Sequence, residues 1–476
     1  MTRATLGTLF LGTWFTLMGG DAAGISIQEP NRAVEQRFLK GPLQVLTTNP
    51  RYFVSPNGKL VYLRGSHTQL SVQEREGHAK LSFEFLLSFL EEHRHNFTKL
   101  WIQEDTIHTP SPYQRTGSAL ALDGKPKLDL TKLNQMYFDQ LRSRAIAAQE
   151  RGIYVDVMLF NGWSVEGKSP TWKVWNRHPF HSKNNVNGID GDDNGDDEGT
   201  EVHTLRIPAI TAIQEAYVRK VVDTVNDLDN VLYEIVNEGA ATLENTAWQY
   251  HMIDFIHEYE RTKPKQHPVG MTVQWPNGNN GVLFDSRADW ISPNALVDPP
   301  DNAHGKVILS DSDHIVGNSV EWVWKSFTRG MNPIFMDLSP PLSSQQPLVN
   351  AEEVRVAMGD TLEYVQRIDL ANIQSRPEMC STTFCLVNPG RGYLVYFPPS
   401  RWCSVPIVGR FYKCMLTVDL SKDESTYTVE WFNPDTKERQ FAGTTTGGVE
   451  KTFIPPFPTS SLLYLIARDK GAAVLQ

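Results

Sequence analysis

The segment Val-Leu-Tyr-Glu-Ile-Val-Asn-Glu at residues 231–238 is an apolar, β-branched run that ends in two polar side chains. Apolar residues recur with helical spacing on either side of it, at residues 210–228 and 244–262. A short strand between two helices is the repeating unit of a parallel sheet. This stretch therefore predicts an α/β fold.

Seven more segments of this kind occur along the chain. The eight predicted strands are residues 61–67, 99–105, 153–160, 231–238, 268–275, 288–292, 307–313 and 333–337. Eight parallel strands over roughly 280 residues predict a (β/α)8 TIM barrel, for which about 250 residues plus insertions are typical. A doubly wound sheet is the competing topology, but the sequence has no G-x-G-x-x-G or P-loop motif.

The pattern changes after a predicted helix at residues 351–368. Strand-like alternation recurs between Pro-, Gly- and Asn-containing turns, as at residues 392–397 and 427–432. This predicts a small antiparallel β-sandwich that packs against the barrel. The predicted divisions are a signal peptide at residues 1–23, the barrel at residues 24–372 and the sandwich at residues 373–476.

The first residues of the chain indicate export. An apolar run at residues 6–18 follows a weakly basic start, and the small residues Gly20 and Ala22 follow the run. The run is too short to span a bilayer and is typical of a cleavable signal peptide. We therefore predict a secreted or periplasmic protein. The alternative is a frayed or membrane-tethering N-terminus, because Arg3 alone supplies positive charge.

All four cysteines lie in the last fifth of the chain, at Cys380, Cys385, Cys403 and Cys414. An even number of cysteines in an exported protein predicts disulfide bonds. Three pairings are possible, and free buried thiols are the alternative. A structural zinc site is not predicted, because the cysteines form no Cys-x-x-Cys pair.

The composition excludes several classes of protein. The chain has 476 residues, and 45 Lys and Arg against 55 Asp and Glu give a formal net charge of −10. Without a basic cluster, it does not have the charge that a nucleic-acid binder needs. A hydrophobic fraction of 40% is ordinary for a soluble globular protein. No later segment is long enough for a membrane span, and we expect a monomer.

In a TIM barrel, chemistry collects at the carboxyl ends of the strands, because the βα loops converge on one mouth. The predicted strand ends carry carboxylates, amides and Trp but few Lys or Arg, which argues against a phosphate-handling site. The candidate catalytic residues are Glu238, Asp311 and Asp313. The candidate substrate-binding residues are His67, Glu104, Asn161, Trp163, Asn237, Gln274, Trp275, His314 and Trp324.

Two strands on nearly opposite sides of the predicted barrel end in carboxylates. Glu238 closes the fourth strand, and Asp311 and Asp313 share one face at the end of the seventh. Two facing carboxyl groups can protonate a leaving oxygen and either attack a sugar carbon or activate water there. The pattern therefore predicts cleavage of a glycosidic bond. The alternative is structural: Glu238 caps the next turn, and one aspartate caps the segment after strand seven.

The run Ile-Val-Asn-Glu at residues 235–238 resembles the Asn-Glu signature of glycoside hydrolases with retaining (β/α)8 barrels. The resemblance implies that Glu238 is the acid/base and that Asn237 binds a sugar hydroxyl. Residues 307–315, 322–327 and 332–337 are also similar to a family of secreted bacterial barrel proteins related to apiosidase-like hydrolases. Some members of that family carry a C-terminal β-sandwich module of the collagen-binding type. The resemblance extends over residues of about 45–470.

The chain departs from this superfamily on strand seven, where the usual nucleophile is Glu. Here Asp311 occupies the best-matching position, and Asp313 follows two residues later. Because Asp is shorter, both the retaining separation of about 5 to 5.5 Å and the inverting separation of about 6.5 to 9.5 Å stay open. A barrel that has lost catalysis and binds carbohydrate or matrix protein is the alternative function. A peptidase is not indicated, because His-Glu-x-x-His and Gly-x-Ser-x-Gly are absent.

An acidic stretch after strand three matches the pattern D-x-[DN]-x-[DN]-G-x5-E of calcium-binding loops. The predicted ligands are Asp190, Asp192, Asn194, Asp196 and Glu201. Oxygen ligands at this spacing suit a structural Ca²⁺ ion near the barrel mouth. The alternative is a solvated acidic turn. We expect no cofactor for catalysis.

Overall fold

The computed structural model describes residues 41–69, 72–75, 81–166, 173–295, 305–314, 319–343, 350–399, 406–407, 410–411 and 415–468. The predicted signal peptide, Cys403 and Cys414 lie outside these residues. Within them, no helix has the length and apolar character needed to cross a bilayer.

Eight parallel strands form the barrel. They are β1 (Gly65–His67), β2 (Phe97–Leu100), β3 (Tyr154–Asn161), β4 (Val231–Asn237), β5 (Val269–Thr272), β6 (Trp290–Ser292), β7 (Val307–Asp311) and β8 (Asn332–Met336). Their order is β1-β8-β7-β6-β5-β4-β3-β2, and every pair in it is parallel. The Asn96 amide closes the ring by donating to the Arg64 carbonyl at 2.9 Å, between the starts of β1 and β2. The predicted (β/α)8 barrel is confirmed.

Seven α-helices in the described part of the chain surround the strands. They are α1 (Phe83–Glu92), α2 (Gln135–Glu150), α3 (Pro208–Val225), α4 (Leu243–Glu260), α5 (Asn280–Asp285), α6 (Val320–Thr328) and α7 (Ala351–Arg367). Side-chain oxygens cap the N-termini of five of them, which satisfies amides that the helix leaves unpaired. The capping residues are Ser82, Asn134, Thr242, Asn279 and Ser319. The apolar faces of the helices pack on the strands around buried residues such as Tyr217 and Trp248.

The predicted boundary of β2 is wrong. The paired strand ends at Leu100, so Glu104 lies in the loop after β2 and not at its end. The helix after this loop begins at Gln135, because Tyr113–Leu120 and Pro126–Leu133 form an antiparallel hairpin before it. Asn134, which follows the hairpin, caps the helix through its side chain.

The barrel interior contains a buried ion pair below the mouth. Lys99 Nζ on β2 lies 2.8 Å from Glu234 Oε2 on β4. The Arg64 guanidinium instead donates to the Tyr62 carbonyl. Burial, and then the charge of Glu234, raises the pKa of Asp156 on β3 well above its ordinary value. The base of the site is therefore polar and tightly paired.

The C-terminal region contains a six-stranded antiparallel sheet. Its strands are β9 (Gln374–Ser375), β10 (Cys385–Asn388), β11 (Gly392–Phe397), β12 (Thr426–Phe432), β13 (Arg439–Thr446) and β14 (Ser461–Ala467). They are ordered β9-β10-β11-β14-β12-β13. A second antiparallel pair, Leu416–Asp419 with Glu450–Phe453, packs against one face. These layers agree with the predicted β-sandwich.

Alternation along β11 explains how this sheet meets the barrel. Tyr393 and Val395 point into the core beneath the second strand pair, whereas Leu394 and Tyr396 join a cluster that contains Trp324 of α6. The ion pair between Arg367 of α7 and Glu430 of β12, at 2.6 Å, lies in the same contact. The sheet therefore buries both faces, one within the sandwich and one on the barrel.

Cys380 and Cys385 carry buried free thiols, with their Sγ atoms 2.6 Å apart. Because Cys403 and Cys414 are outside the described residues, the expected disulfide bonds stay a prediction.

Candidate active site

Glu238 directly follows β4 in a strained backbone conformation. Its φ of +48° lies in the left-handed region, which is uncommon for a residue with a side chain. The Glu238 carbonyl also approaches Gly162 after β3 so closely that a Cβ at Gly162 would lie 2.2 Å from it. The Trp163 indole N–H donates to Glu238 Oε2. The loops after β3 and β4 therefore fix this carboxylate together.

Asp311, the last residue of β7, is held from below. Both of its carboxylate oxygens lie near His67 Nε2, at 3.2 and 3.1 Å. The Trp101 indole donates to His67 Nδ1 at 2.9 Å. Because an indole can only donate, His67 Nδ1 accepts and the ring proton is on Nε2, facing Asp311. His67 was predicted to contact substrate, but it is fully buried and its two nitrogens serve Trp101 and Asp311.

Asp313 lies in the turn after β7, and its amide donates to Asp311 Oδ1 at 2.9 Å. The two aspartates titrate in opposite directions. Burial alone would raise the pKa of Asp311, but His67, His314 and Lys99 outweigh it and hold that pKa well below its usual range. Burial and the charge of Asp311 raise the pKa of Asp313 to about 6. Asp311 therefore carries the permanent negative charge.

Glu238, Asp313 and His314 come together across the mouth. One ligand atom from each lies within 4.8 Å of the others, so a carboxylate oxygen of Glu238 is no more than 4.8 Å from one of Asp313. Asp313 Oδ2 has no hydrogen-bond partner among the described residues. Of the two candidate aspartates, Asp313 thus belongs to the facing pair with Glu238.

Asn237 and His314 are oriented by each other and by the barrel interior. Asn237 Oδ1 accepts from Lys99 Nζ at 3.0 Å and from His314 Nε2 at 3.3 Å. Ser292 Oγ lies 2.8 Å from His314 Nδ1. Asn237 is 1% exposed, and its Nδ2 has no acceptor among the described residues. A buried donor without an acceptor is costly, so this N–H group suits a ligand oxygen.

Three tryptophans, Trp163, Trp275 and Trp324, were predicted to bind substrate. Trp163 and Trp275 are 43% and 45% exposed, and Trp275 lines an open groove of about 580 Å³ beside the loop after β4. Trp322 and Trp324 are buried. The prediction that Trp324 binds substrate is wrong, because α6 turns this residue toward Tyr364 and the C-terminal sheet.

Glu104 and Asn161 were also predicted to contact substrate, but protein partners occupy them. Glu104 Oε2 accepts from the Asn161 amide at 2.7 Å and from His203 Nε2 at 3.1 Å. Asn161 Nδ2 donates to Gln103 Oε1 at 2.9 Å. Although burial opposes ionisation, His203 and His178 lower the pKa of Glu104 to about 2. This carboxylate therefore fastens the long insertion after β3 to the barrel.

Gln274 is likewise a positioning residue. Its Nε2 donates to the Ala240 carbonyl at 3.0 Å and to Asn245 Oδ1 at 2.9 Å. These bonds hold the loop between β4 and α4, which carries Glu238 at its start. Gln274 was predicted to bind substrate, but its amide N–H group bonds this loop instead.

The histidine partners of Glu104 and the supports of the facing pair were missed in the sequence. His178 and His203 lie inside the long insertion, where no strand-end rule applies. Trp101 follows β2, and Lys99 on β2 points into the barrel. Inward alternation along a barrel strand was the one signal that could have found Lys99.

The acidic loop closes on itself in this structure. Asp192 Oδ1 accepts from the Gly195 and Asp196 amides, at 2.7 and 3.1 Å, and Asn194 Nδ2 donates to Asp196 Oδ2 at 3.0 Å. In the described chain, no three of the four loop carboxylates bring oxygens within 4.8 Å of one another; these are Asp190, Asp192, Asp196 and Glu201. Ca²⁺ binding stays a prediction for this loop.

The fold and the site define a class: a (β/α)8 barrel with facing carboxylates after β4 and β7, followed by an antiparallel β-domain. Residues 106–288 match a family described as a domain of unknown function, DUF6298. No curated protein matches the chain by sequence.

Two solved structures show the same fold at low identity. One is described as a glycoside hydrolase, with a TM-score of 0.56 and 11% identity over 90% of this chain and 97% of that chain. Another is a glycoside hydrolase family 5 protein from Bacteroides vulgatus ATCC 8482, with a TM-score of 0.55 and 11% identity over 90% of this chain and 93% of that chain. Since 90% of the chain exceeds the barrel, the likeness includes the C-terminal domain.

Proposed function

We propose that this protein is a glycoside hydrolase whose catalytic pair is Glu238 and Asp313. The observation that supports this most is the approach of their carboxylate oxygens to within 4.8 Å at the carboxyl ends of β4 and β7. A pair of acids at this place and separation can act on both sides of one glycosidic bond.

The separation favours retention of configuration. Retaining enzymes place their two carboxyl groups about 5 to 5.5 Å apart, whereas inverting enzymes need about 6.5 to 9.5 Å to admit a water molecule. The nearest carboxylate oxygens of Glu238 and Asp313, no more than 4.8 Å apart, are closer than the inverting range and so favour the shorter separation. The shorter side chain of Asp is compensated because Asp313 lies in the turn beyond β7, two residues after Asp311.

Each carboxyl group then has one role in each of two steps. Glu238, the acid/base by resemblance, donates its proton to the leaving oxygen while an oxygen of Asp313 bonds to the anomeric carbon and the glycosidic C–O bond breaks. Water next attacks that carbon as Glu238 takes its proton, and the bond to Asp313 breaks. Asp311 stays ionised beneath Asp313, and its charge favours the positive charge that develops on the sugar ring.

The surrounding groups suit a sugar substrate. The buried N–H of Asn237 is placed to bond a hydroxyl beside the reacting carbon. Trp163 contacts Glu238, and Trp275 lines the adjacent groove, so their half-exposed rings can stack on sugar faces near the bond. We extend the proposal to an exported monomer that acts on an oligo- or polysaccharide, in line with the predicted signal peptide.

A panel of plant and bacterial polysaccharides tests the proposal on the purified chain. Glu238→Gln and Asp313→Asn should abolish turnover, whereas Glu258→Gln and Asp139→Asn, on the exposed faces of α4 and α2, should not change it. Unchanged turnover in Glu238→Gln would exclude the hydrolase. Retention on a polysaccharide column without turnover would instead support the inactive binding scaffold.

Aryl glycosides with good leaving groups separate the two roles. A leaving group that needs no proton should rescue the first step in Glu238→Gln and leave Asp313→Asn inactive. Rescue of Asp313→Asn and not of Glu238→Gln would instead make Asp313 the acid/base and Glu238 the nucleophile. The anomeric configuration of the first product, followed by NMR, tests retention directly.

A further inference from the structure

The facing pair has a third member that the proposed hydrolysis does not use. His314 follows Asp313 in the turn after β7, and its Nε2 lies 3.8 Å from Asp313 Oδ2. Glu238, Asp313 and His314 are also the one group of at least three acidic, His or Cys residues in the described chain whose ligand atoms all fall within 4.8 Å.

Two carboxylate oxygens and one imidazole nitrogen define the metal that the group would suit. Mg²⁺ and Ca²⁺ prefer oxygen ligands throughout, whereas imidazole with carboxylate suits Zn²⁺ and neighbouring transition metals. Zinc bonds of about 2.0 to 2.2 Å in a tetrahedron place the ligand atoms about 3.4 Å apart. Side-chain movements of about 1 Å would therefore bring the three ligand atoms to this spacing around an ion. The two carboxylates would balance its charge.

The environment of His314 favours ligation through Nε2. At present Nε2 donates to Asn237 Oδ1, so Nδ1 accepts from the Ser292 hydroxyl, at 2.8 Å. The neutral ring can instead carry its proton on Nδ1 and donate to Ser292 Oγ, because a hydroxyl is both donor and acceptor. This exchange frees the Nε2 lone pair without changing the charge of the ring. A partner on the second nitrogen is the usual support of a metal-bound His.

Asp313 supplies the second ligand without loss of a protein contact. Its Oδ2 is buried and has no hydrogen-bond partner in the described part of the chain, so a cation there replaces nothing. Lys99 is the nearest interior cation, but its ammonium group is already paired with Glu234 and Asn237. The group therefore combines an unsatisfied carboxylate with an oriented imidazole.

We propose that Glu238, Asp313 and His314 bind one Zn²⁺ ion or a similar transition-metal dication, and that the bound ion blocks the catalytic pair. Three protein ligands leave a fourth position for water at the mouth. The metal site does not depend on the proposed hydrolysis, whereas its inhibitory effect does. Zinc and sugar would compete for the same two carboxylates.

Calorimetry on the full chain, after treatment with EDTA and its removal, measures binding apart from activity. Zn²⁺ should bind with one-to-one stoichiometry, and Mg²⁺ and Ca²⁺ should not compete at this site. His314→Gln should weaken zinc binding at least tenfold, and Ser292→Ala, which keeps all three ligands, about tenfold. His251→Gln on the surface of α4 is the matched control and should keep the affinity. Unchanged zinc affinity in both His314→Gln and Ser292→Ala would overturn the site.

Activity assays then test the inhibitory part. Zinc should raise the apparent KM for an accepted polysaccharide, and EDTA should restore it. If zinc instead increased turnover and EDTA removed it, blocking would be wrong although the site would stand. If no polysaccharide were turned over with or without zinc, the proposed hydrolase would fail, and calorimetry alone would decide the metal site.

Discussion

Two acids at the barrel mouth, the buried Glu104 and the partly buried Asp313, differ in what surrounds them. Glu104, after β2, accepts from a backbone amide and from His203, and its pKa falls to about 2. Asp313, after β7, has an oxygen without a described donor and lies above the charge of Asp311, so its pKa rises to about 6. Loss of hydration raises the pKa of both acids, and their partners decide the direction of the net shift.

This difference suits Glu104 to a structural role and Asp313 to the binding of a substrate or an ion. The loop that provides His178 and His203 satisfies Glu104 and is fastened by it in return. Asp313 has an oxygen, Oδ2, without a hydrogen-bond donor among the described residues, and a substrate or an ion can bind there. A strand-end carboxylate is therefore best judged by whether protein donors already saturate it.

Substitution of Asp313 should affect catalysis strongly, whereas substitution of Glu104 should not. Under the proposed function, Asp313→Asn should lower kcat about a thousandfold, because the variant lacks the charged oxygen proposed to attack the sugar. Glu104→Gln should leave kcat within about threefold, provided that the protein is folded under the assay conditions. Steady-state kinetics on an accepted substrate measure both. Equal losses of kcat in the two variants would contradict the assignment of a structural role to Glu104 and a catalytic role to Asp313.

For stability the expectation is reversed, and Glu104 is the residue whose substitution should destabilise the fold. Glu104→Gln should lower the free energy of unfolding by about 3 kcal/mol, as expected when one partner of a buried charged network is removed. The two donors share Oε2, so the amide oxygen of Gln can keep both, but the negative charge is lost and the amide N–H group replaces Oε1 beside His178 Nε2. Urea unfolding measures the change, with the exposed Glu258→Gln on α4 as the control. A loss below about 0.5 kcal/mol would mean that Glu104 is not a fastening residue.

The pH dependence of that difference tests its electrostatic cause. The pKa of Glu104 is about 2 in the folded protein, below its ordinary value, so ionisation favours the folded state. The stabilisation of about 3 kcal/mol should be complete above about pH 4.5 and should vanish as the pH falls toward 2. Unfolding of the wild type and Glu104→Gln should therefore converge in acid. A difference that stays constant down to pH 2.5 would point to packing alone.

The sequence predicts most of the fold because barrel strands are local patterns. Apolar runs ending in polar residues located all eight strands, and the rule that chemistry lies at their carboxyl ends selected Asn237, Glu238 and Asp313. Inward alternation placed Asp311 and Asp313 together, but it could not show that His67 holds Asp311. That distinction depends on a contact between residues 244 positions apart.

The errors have a common physical origin in long-range packing. Glu104 and Asn161 lie in the right region, but their partners come from an insertion whose path no periodicity reveals. Trp324 belongs to a helix whose second face is covered by the C-terminal sheet, and the docking of two domains is not a local property. Patterns along the chain gave the positions of the side chains, whereas contacts across the chain decided their roles.

The change in stability expected at Asp313 has the opposite sign from that at Glu104. Asp313→Asn should raise the free energy of unfolding by about 2 kcal/mol at pH 7, since a raised folded-state pKa of about 6 means that folding disfavours the ionised form. Asn keeps the size of the side chain and removes its repulsion with Asp311. The gain should shrink as the pH falls below about 6, where Asp313 is protonated in the folded wild type, and it should be nearly absent near pH 4. Urea unfolding in EDTA keeps metal ions out of the measurement, and Asp139→Asn on the exposed face of α2 is the control. If Asp313→Asn were instead destabilised at pH 7, Asp313 would be a saturated structural acid like Glu104, and the proposed roles of both residues would have to change.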